Sequence, residues 1–261
     1  MTEVSAVPIE ERPRRFYFDW LFPLLLRPRA AFAKIVALGR ASWLTPLLVL
    51  TLTNLLAVAV AGPIKITAAQ NGEVTLPDVF QYWSAEDQAQ YLQAQQLAAT
   101  GPVFIYVFPA IVAVLRLWVG WLVLGGLLHL MLTMLGGRDN TGGALNIVAW
   151  ASLPFALRDL VRAGFMLVQR QLLASPGLTG FAPAGEGWVY AALGDLFSRL
   201  DIFTLWYVSL LYLGVRASVG LTRGKAFAGL FIALLIMLVL GVAPTVARSL
   251  FSQLSVVQPF F

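Results

Sequence analysis

The chain has 261 residues, of which 59% are hydrophobic and 12% charged, with a mean hydropathy of +0.79. Soluble domains carry about 45–50% apolar and about 25% charged residues, so this surplus excludes a water-soluble core and implies a membrane protein. The net charge of +5 is spread over short hydrophilic pieces between apolar runs, which points to membrane orientation rather than nucleic acid, and the lack of cysteine excludes disulfides, thiolate metal sites and a cysteine nucleophile.

Residues 1–41 read as a cytoplasmic tail leading into an interfacial helix. The start, MTEVSAVPIEERPRRF, has acids and prolines but no compact apolar stretch with a cleavage site, so no removable signal peptide is expected. In FYFDWLFPLLLRPRAAFAKIVALGR, Asp19, Pro23, Arg27, Pro28 and Arg29 interrupt the apolar residues too often for a membrane span. Pro28 suits a first helical turn. Beyond it, Phe32, Ile35, Val36 and Gly39 share one helical face, and Arg27, Arg29, Lys34 and Arg40 are placed to meet lipid headgroups. An amphipathic helix on the cytoplasmic leaflet fits this pattern. An ordinary basic flank to a membrane span fits it as well.

Five apolar runs follow, at about 42–62, 103–135, 144–168, 201–221 and 225–247, and together they define one membrane domain over 42–247. Each supplies the roughly 20 residues that a helix needs to cross about 30 Å of hydrocarbon. None alternates as a barrel strand would, so the expected fold is an all-α polytopic bundle with five transmembrane helices. Outer loops are expected at 63–101 and 169–200, and a short outer tail at 248–261. In the first loop, Ser84 and Asp87 stand at capping-box spacing and open a polar helix. In the second, a glycine- and proline-rich stretch precedes Trp188 and Tyr190, which suit the headgroup level. Ser198 and Asp201 again have capping spacing, so the fourth span is expected to start there.

Lysine and arginine orient the bundle. Arg12, Arg14, Arg15, Arg27, Arg29, Lys34, Arg40, Arg138, Arg216, Arg223 and Lys225 fall on one side. The other side has Lys65, Arg158, Arg162, Arg170, Arg199 and Arg248, with Glu73, Asp78, Glu86 and Asp87 in its long loop. The positive-inside rule then places the N-terminus in the cytoplasm and the C-terminus outside, in the cell membrane.

Several charges fall within the spans. Counting from the cytoplasmic ends at about 1.5 Å per residue, Arg116 lies about 30 Å along the second span and Asp159 about 23 Å along the third. Asp201 opens the fourth at the outer surface. Arg116, Arg158, Asp159, Arg162 and Asp201 therefore form a candidate polar cluster, in which Arg116 is expected to pair with Asp159 or Asp201. Such a cluster either fixes orientation and packing or lines an ion or substrate path. His129, the only histidine, has no carboxylate one turn away and reads as a polar packing residue. Pro154 is expected to kink the third span. Asn54 and Asn146 could hydrogen-bond between helices. Ala57, Ala61 and Gly62, the pair Gly214 and Ser218, and Ala226, Gly229 and Ala233 form small-residue edges that suit either internal packing or an oligomer.

Catalytic equipment is missing. The chain has no His-Glu-x-x-His, no paired glutamates on a span, and no base near Ser152 or Ser209. GGRDNTGG, at 136–143, lacks the P-loop lysine and reads as a tight turn. No enzyme, no cofactor and no metal is expected.

The order of LLLRPRAAFAKI, LGGRDNTGGALNIVAWASLPFAL and DIFTLWYVSLLYLGVRASVGLTRGKAFAGLF, over roughly 22–245, resembles the Yip (Ypt/Rab-interacting protein) integral membrane family, specifically its prokaryotic branch. That resemblance implies five spans, a cytoplasmic N-terminus and an outer C-terminus. Eukaryotic members act in trafficking with small GTPases, but this cytoplasmic tail is short and that role does not carry over. The expectation is a non-enzymatic membrane-organising or partner-binding protein, its partners being the bilayer and a protein or a second copy of the chain. The alternatives are a transporter or channel component using the intramembrane charges, or a lipid-binding or lipid-scrambling protein.

Overall fold

The computed structural model describes residues 14–70, 76, 80–137, 140–173, 176–218 and 220–254. Arg12, Glu73, Asp78, Arg138 and the tail beyond 254 lie outside the described residues. Those that are described contain helices and no strand, as the unbroken apolar runs require. The order is α1 (Leu21–Leu26), α2 (Pro28–Ala37), α3 (Leu44–Gln70), α4 (Ala85–Thr100), α5 (Phe108–Met134), α6 (Thr141–Ala151), α7 (Leu153–Gln169), α8 (Trp188–Arg199), α9 (Ile202–Ser218) and α10 (Arg223–Leu254).

Four stretches are long and apolar enough to cross a membrane: α3, α5 with the π turn Val103–Val107 before it, α6 with α7, and α10. A fifth crossing is available from α8 and α9 together, which bend by 71° at their junction. Neighbouring contacts fix where the C-terminal end of that pair lies. The C-terminal part of α9 packs on α2 and α6, with Gly214 against Phe32 and Ile147. α10 then begins beside the end of α5, where the Lys225 ammonium donates to the Leu135 carbonyl at 3.2 Å and Gly229 seats Leu132 and Leu135. So α9 arrives at the end of the bundle where α5 finishes and α6 starts. A pair that turned back would deliver α10 to the opposite end.

The broken helix α6–α7 is the centre of the bundle and the most buried of the long helices. Its ladder is interrupted at Ser152, just ahead of Pro154. Proline has no N–H and its ring crowds the carbonyl one turn back. The Ser152 hydroxyl and its own N–H both donate to the Val148 carbonyl, at 2.7 and 3.2 Å. Trp150, Ile147 and Val148 pack into the core with Leu47, Leu50, Leu128, Leu210 and Leu211. Elsewhere large apolar side chains point outward, as at Phe108, Ile111, Leu122, Phe231 and Val239. That surface belongs in lipid, not water.

Several helix limits differ from the apolar runs. α3 continues past Gly62 through Pro63 to Gln70, because good helix formers follow and a span accommodates an internal proline. With its leading turn, α5 measures about 48 Å at about 1.5 Å per residue, well over the roughly 30 Å of hydrocarbon. It must tilt or project. Trp188–Arg199 is a separate helix rather than a loop. Asp201 caps α9, its Oδ1 accepting from Thr204 N at 2.8 Å, while the Ser198 hydroxyl donates to the Asp195 carbonyl. The expected cap at Ser84 is present: its Oγ accepts from Asp87 N at 3.1 Å and donates to the Asp87 carboxylate at 2.6 Å.

Of the two asparagines, Asn54 donates to Leu50 within its own helix, contrary to the expected interhelical bond. A side chain that can reach the carbonyl one turn back needs no second helix. Asn146 does bridge, but to backbone. Small residues serve packing within the chain: Gly62 seats the Tyr106 ring, and Ala226 and Ala233 are buried.

Candidate functional site

Two groupings of polar side chains stand out, one at each end of the bundle. The first grows from the inward face of α7. Asp159 projects there between the small residues Ala156 and Ala163 and is 7% exposed. Arg158 and Arg162 flank it and reach toward α9. The Arg158 guanidinium is 3.7 Å from Asp159 and 3.7 Å from Asp201, and Arg162 is 3.4 Å from Asp201. The carbon of the Arg158 guanidinium also sits 4.5 Å from the Phe155 ring centroid, a cation–π contact.

Asp201 therefore has two tasks. One oxygen caps α9 and the other meets both arginines. The cap places this carboxylate at the positive end of the helix dipole, which favours its charge. Distances of 3.7 Å are ion contacts, not hydrogen bonds. Accordingly, Arg158 Nε and Asp159 Oδ2 are buried without a hydrogen-bond partner in the protein.

A second pair lies on α8. Arg199 grips Asp195 through Nε and Nη2 and also donates from Nη2 to the Gly241 carbonyl of α10 at 2.9 Å. Gly241 permits this approach, since a Cβ there would stand 3.0 Å from Arg199 Nη1. The loop before α8 folds back over its end. Gly177, at φ +62, leaves Leu178 N 2.9 Å from the Phe197 carbonyl, and any Cβ at 177 would strike the carbonyls of Phe197, Ser198 and Leu200.

The expected cluster is thus assembled at Arg158, Asp159, Arg162 and Asp201, but Arg116 is not part of it. Among the described residues Arg116 forms no ion pair with Asp159 or Asp201. Distance along a tilted helix is not depth, so a count of residues from the helix end does not bring Arg116 level with either aspartate. His129 is half-buried, with no hydrogen bond among the described residues.

The second grouping is the α1–α2 hairpin. Phe32 and Ile35 are buried against α6 and α9, so the apolar face of α2 is spent inside the protein rather than in lipid. The helix is amphipathic as expected, with its apolar face on the bundle and Arg29 and Lys34 on its exposed side. Tyr17 N donates to Thr45 Oγ1 at 2.9 Å. Asn146 accepts from Ser42 N at 2.8 Å and donates to the Arg40 carbonyl at 2.9 Å, and Trp150 Nε1 donates to Ser42 Oγ at 3.0 Å. The hairpin is therefore fixed to the bundle. It leaves Phe18, Phe22 and Leu26 exposed beside the exposed cations Arg27, Arg29, Lys34 and Arg40. Sequence reading found these cations but missed the aromatic rim, because α1 is too short to display a periodic pattern.

Neither grouping holds a nucleophile beside a base. The hydroxyls of Ser152 and Ser209 donate to carbonyls of their own helices. Among the described residues no set of His, Asp and Glu side chains is placed to hold a metal ion. What the arrangements can do is bind: anions at exposed guanidinium groups, and lipid at the apolar surfaces between them. No curated protein and no solved structure matches the chain. A family model does, over residues 22–243, and its description is the Yip1 domain.

Proposed function

The chain belongs to the Yip1 domain family, and from that premise we propose that it is a non-enzymatic, multi-pass membrane-organising protein whose α1–α2 hairpin gathers anionic partners, lipid headgroups first, at the cytoplasmic leaflet. In this reading α4 and the 170–187 loop lie outside the cytoplasm, the N-terminus within it and the C-terminus opposite. Arg27, Arg29, Lys34, Arg40, Arg216, Arg223 and Lys225 then collect at one end of the bundle, as the positive-inside rule favours.

The observation that carries the proposal is the locked hairpin. Asn146 and the Phe32–Gly214 contact hold it in place, so its cations are presented as a fixed platform rather than on a loose tail. Each cation near an anionic leaflet contributes about 1 kcal/mol of attraction, and Phe18, Phe22 and Leu26 add apolar insertion beside it. The transport alternative has weaker support. Arg158, Arg162, Asp159 and Asp201 mostly neutralise one another, which suits structure better than a conduction path.

The test is lipid selectivity in reconstituted bilayers of mixed zwitterionic and anionic lipid. Spin-labelled anionic lipid is expected to be enriched around the protein over its zwitterionic counterpart. The combined variant Arg27→Gln, Arg29→Gln, Lys34→Gln, Arg40→Gln is expected to lose that preference while remaining folded. Equal selectivity in both proteins would remove the hairpin from this role.

A further inference from the structure

We propose that Trp83, Tyr91 and Asp87 form a binding site for an organic cation, a quaternary or primary ammonium group, on α4 and the turn before it. Asp87, Gln90, Tyr91 and Ala94 lie at i, i+3, i+4 and i+7 and so share one face of α4. That spacing usually marks the side of a helix packed against its own protein. Here, joined by Trp83, it lines an open cavity of about 480 Å³.

The two rings stand as adjoining walls. Trp83 and Tyr91 are half-buried, with centroids 5.1 Å apart and planes at 82°. Phe80 backs both, 5.7 Å from each, without lining the cavity. Hydrogen bonds hold the walls in place. The Gln88 amide donates to the Phe80 and Trp83 carbonyls at 3.1 and 3.2 Å, tying the turn to α4. Gln95 donates to the Tyr91 hydroxyl. The Asp87 carboxylate accepts from the Ser84 hydroxyl through Oδ2, and its Oδ1 has no partner among the described residues.

Charge and ring chemistry select the ligand. Aromatic faces attract cations through their quadrupole, tryptophan most strongly, and the carboxylate adds a full charge. Between Pro63 and Gly101 the sequence sets Lys65 against Glu73, Asp78, Glu86 and Asp87, which favours a cation and opposes an anion. Among the described residues no lysine or arginine forms an ion pair with Asp87. An ammonium bearing methyl or methylene groups brings charge to the carboxylate and apolar surface to the rings. A phospholipid headgroup and a free amine both present that chemistry.

Choline chloride is titrated into the full-length protein, in a detergent without an ammonium headgroup and at constant ionic strength, and its methyl protons are followed by NMR. A saturable upfield shift from the two rings is expected. Trp83→Leu should weaken binding about tenfold, with Trp83→Phe closer to wild type. Asp87→Asn, which keeps an oxygen for the Ser84 hydroxyl, should weaken it by a similar factor. The titration is repeated in phosphatidylglycerol and in phosphatidylcholine bilayers. Trp83-dependent binding of choline in the first but not the second identifies the lipid headgroup as occupant, and equal binding in both identifies a free organic cation. No saturable shift, no Trp83-dependent binding in phosphatidylglycerol, or a shift insensitive to Trp83→Leu or to Asp87→Asn overturns the proposal. Displacement of choline by an equal concentration of sodium also overturns it, since that reports bare charge attraction. Should Trp83→Leu disturb the turn, seen as faster hydrogen exchange in α4, Tyr91→Leu takes its place.

Discussion

Phe32 and Gly214 meet face to face where α2 crosses α9. A Cβ at position 214 would lie 3.0 Å from Phe32 Cε1 and 2.6 Å from Ile147 Cγ2. The missing side chain is what lets the N-terminal hairpin lie flush on the bundle. Gly214→Ala is expected to destabilise by about 1–3 kcal/mol through overpacking, seen as easier thermal unfolding in detergent. Faster hydrogen exchange should accompany it across α2 but not across α4. Unchanged exchange in α2 would mean that the hairpin does not depend on this seat.

Asn146 gives a second handle on the same docking. Its side chain satisfies Ser42 N and the Arg40 carbonyl, and Ser42 and Asn146 are both buried. Asn146→Ala leaves those groups without partners, at an expected cost of about 1–3 kcal/mol. The measurement is thermal unfolding combined with exchange at residues 40–43. Protection equal to wild type would show that another group has taken over.

Asp201 separates capping from ion pairing. Asp201→Asn keeps an oxygen to accept from Thr204 N but removes the charge that Arg158 and Arg162 approach. Asp201→Ala loses both and should be less stable than Asp201→Asn by about 1 kcal/mol, the usual worth of a cap. Unfolding midpoints in one detergent provide the ranking, and an alanine variant as stable as the asparagine variant would refute the cap's contribution.

Ser84 tests a local feature outside the bundle core. Ser84→Ala removes the acceptor for Asp87 N and should cost α4 about 1 kcal/mol, read as faster exchange in Ala85–Thr100 with no change in α3.

These predictions also mark what was legible in the sequence. The Ser84 cap was readable because it is local, a hydroxyl and a backbone N–H three residues apart. The apolar runs were readable because hydrocarbon demands length. Gly214 was recognisable as a small-residue position, but not its partner Phe32, which is distant in sequence and known only once α2 lies on α9. α8 was missed because its 12 residues are too few for a span and follow a glycine- and proline-rich stretch, so they were assigned to the outer loop; folded, Arg199 pairs with Asp195 and donates to the Gly241 carbonyl. Counting residues from one helix end predicted that Arg116 meets Asp159 or Asp201, but length along a tilted helix is not depth, and no ion pair joins them among the described residues.

The account rests most heavily on α8 and α9 making one broken crossing, which puts the α1–α2 hairpin and the start of α10 on the cytoplasmic side together. The chain has no cysteine, so single cysteines at Lys34, Gln93, Phe181 and Thr222 can each be probed with a membrane-impermeant maleimide in intact cells. The prediction is labelling at Gln93 and Phe181, and protection at Lys34 and Thr222 until the membrane is opened. Labelling of Thr222 together with Gln93 in intact cells would contradict it.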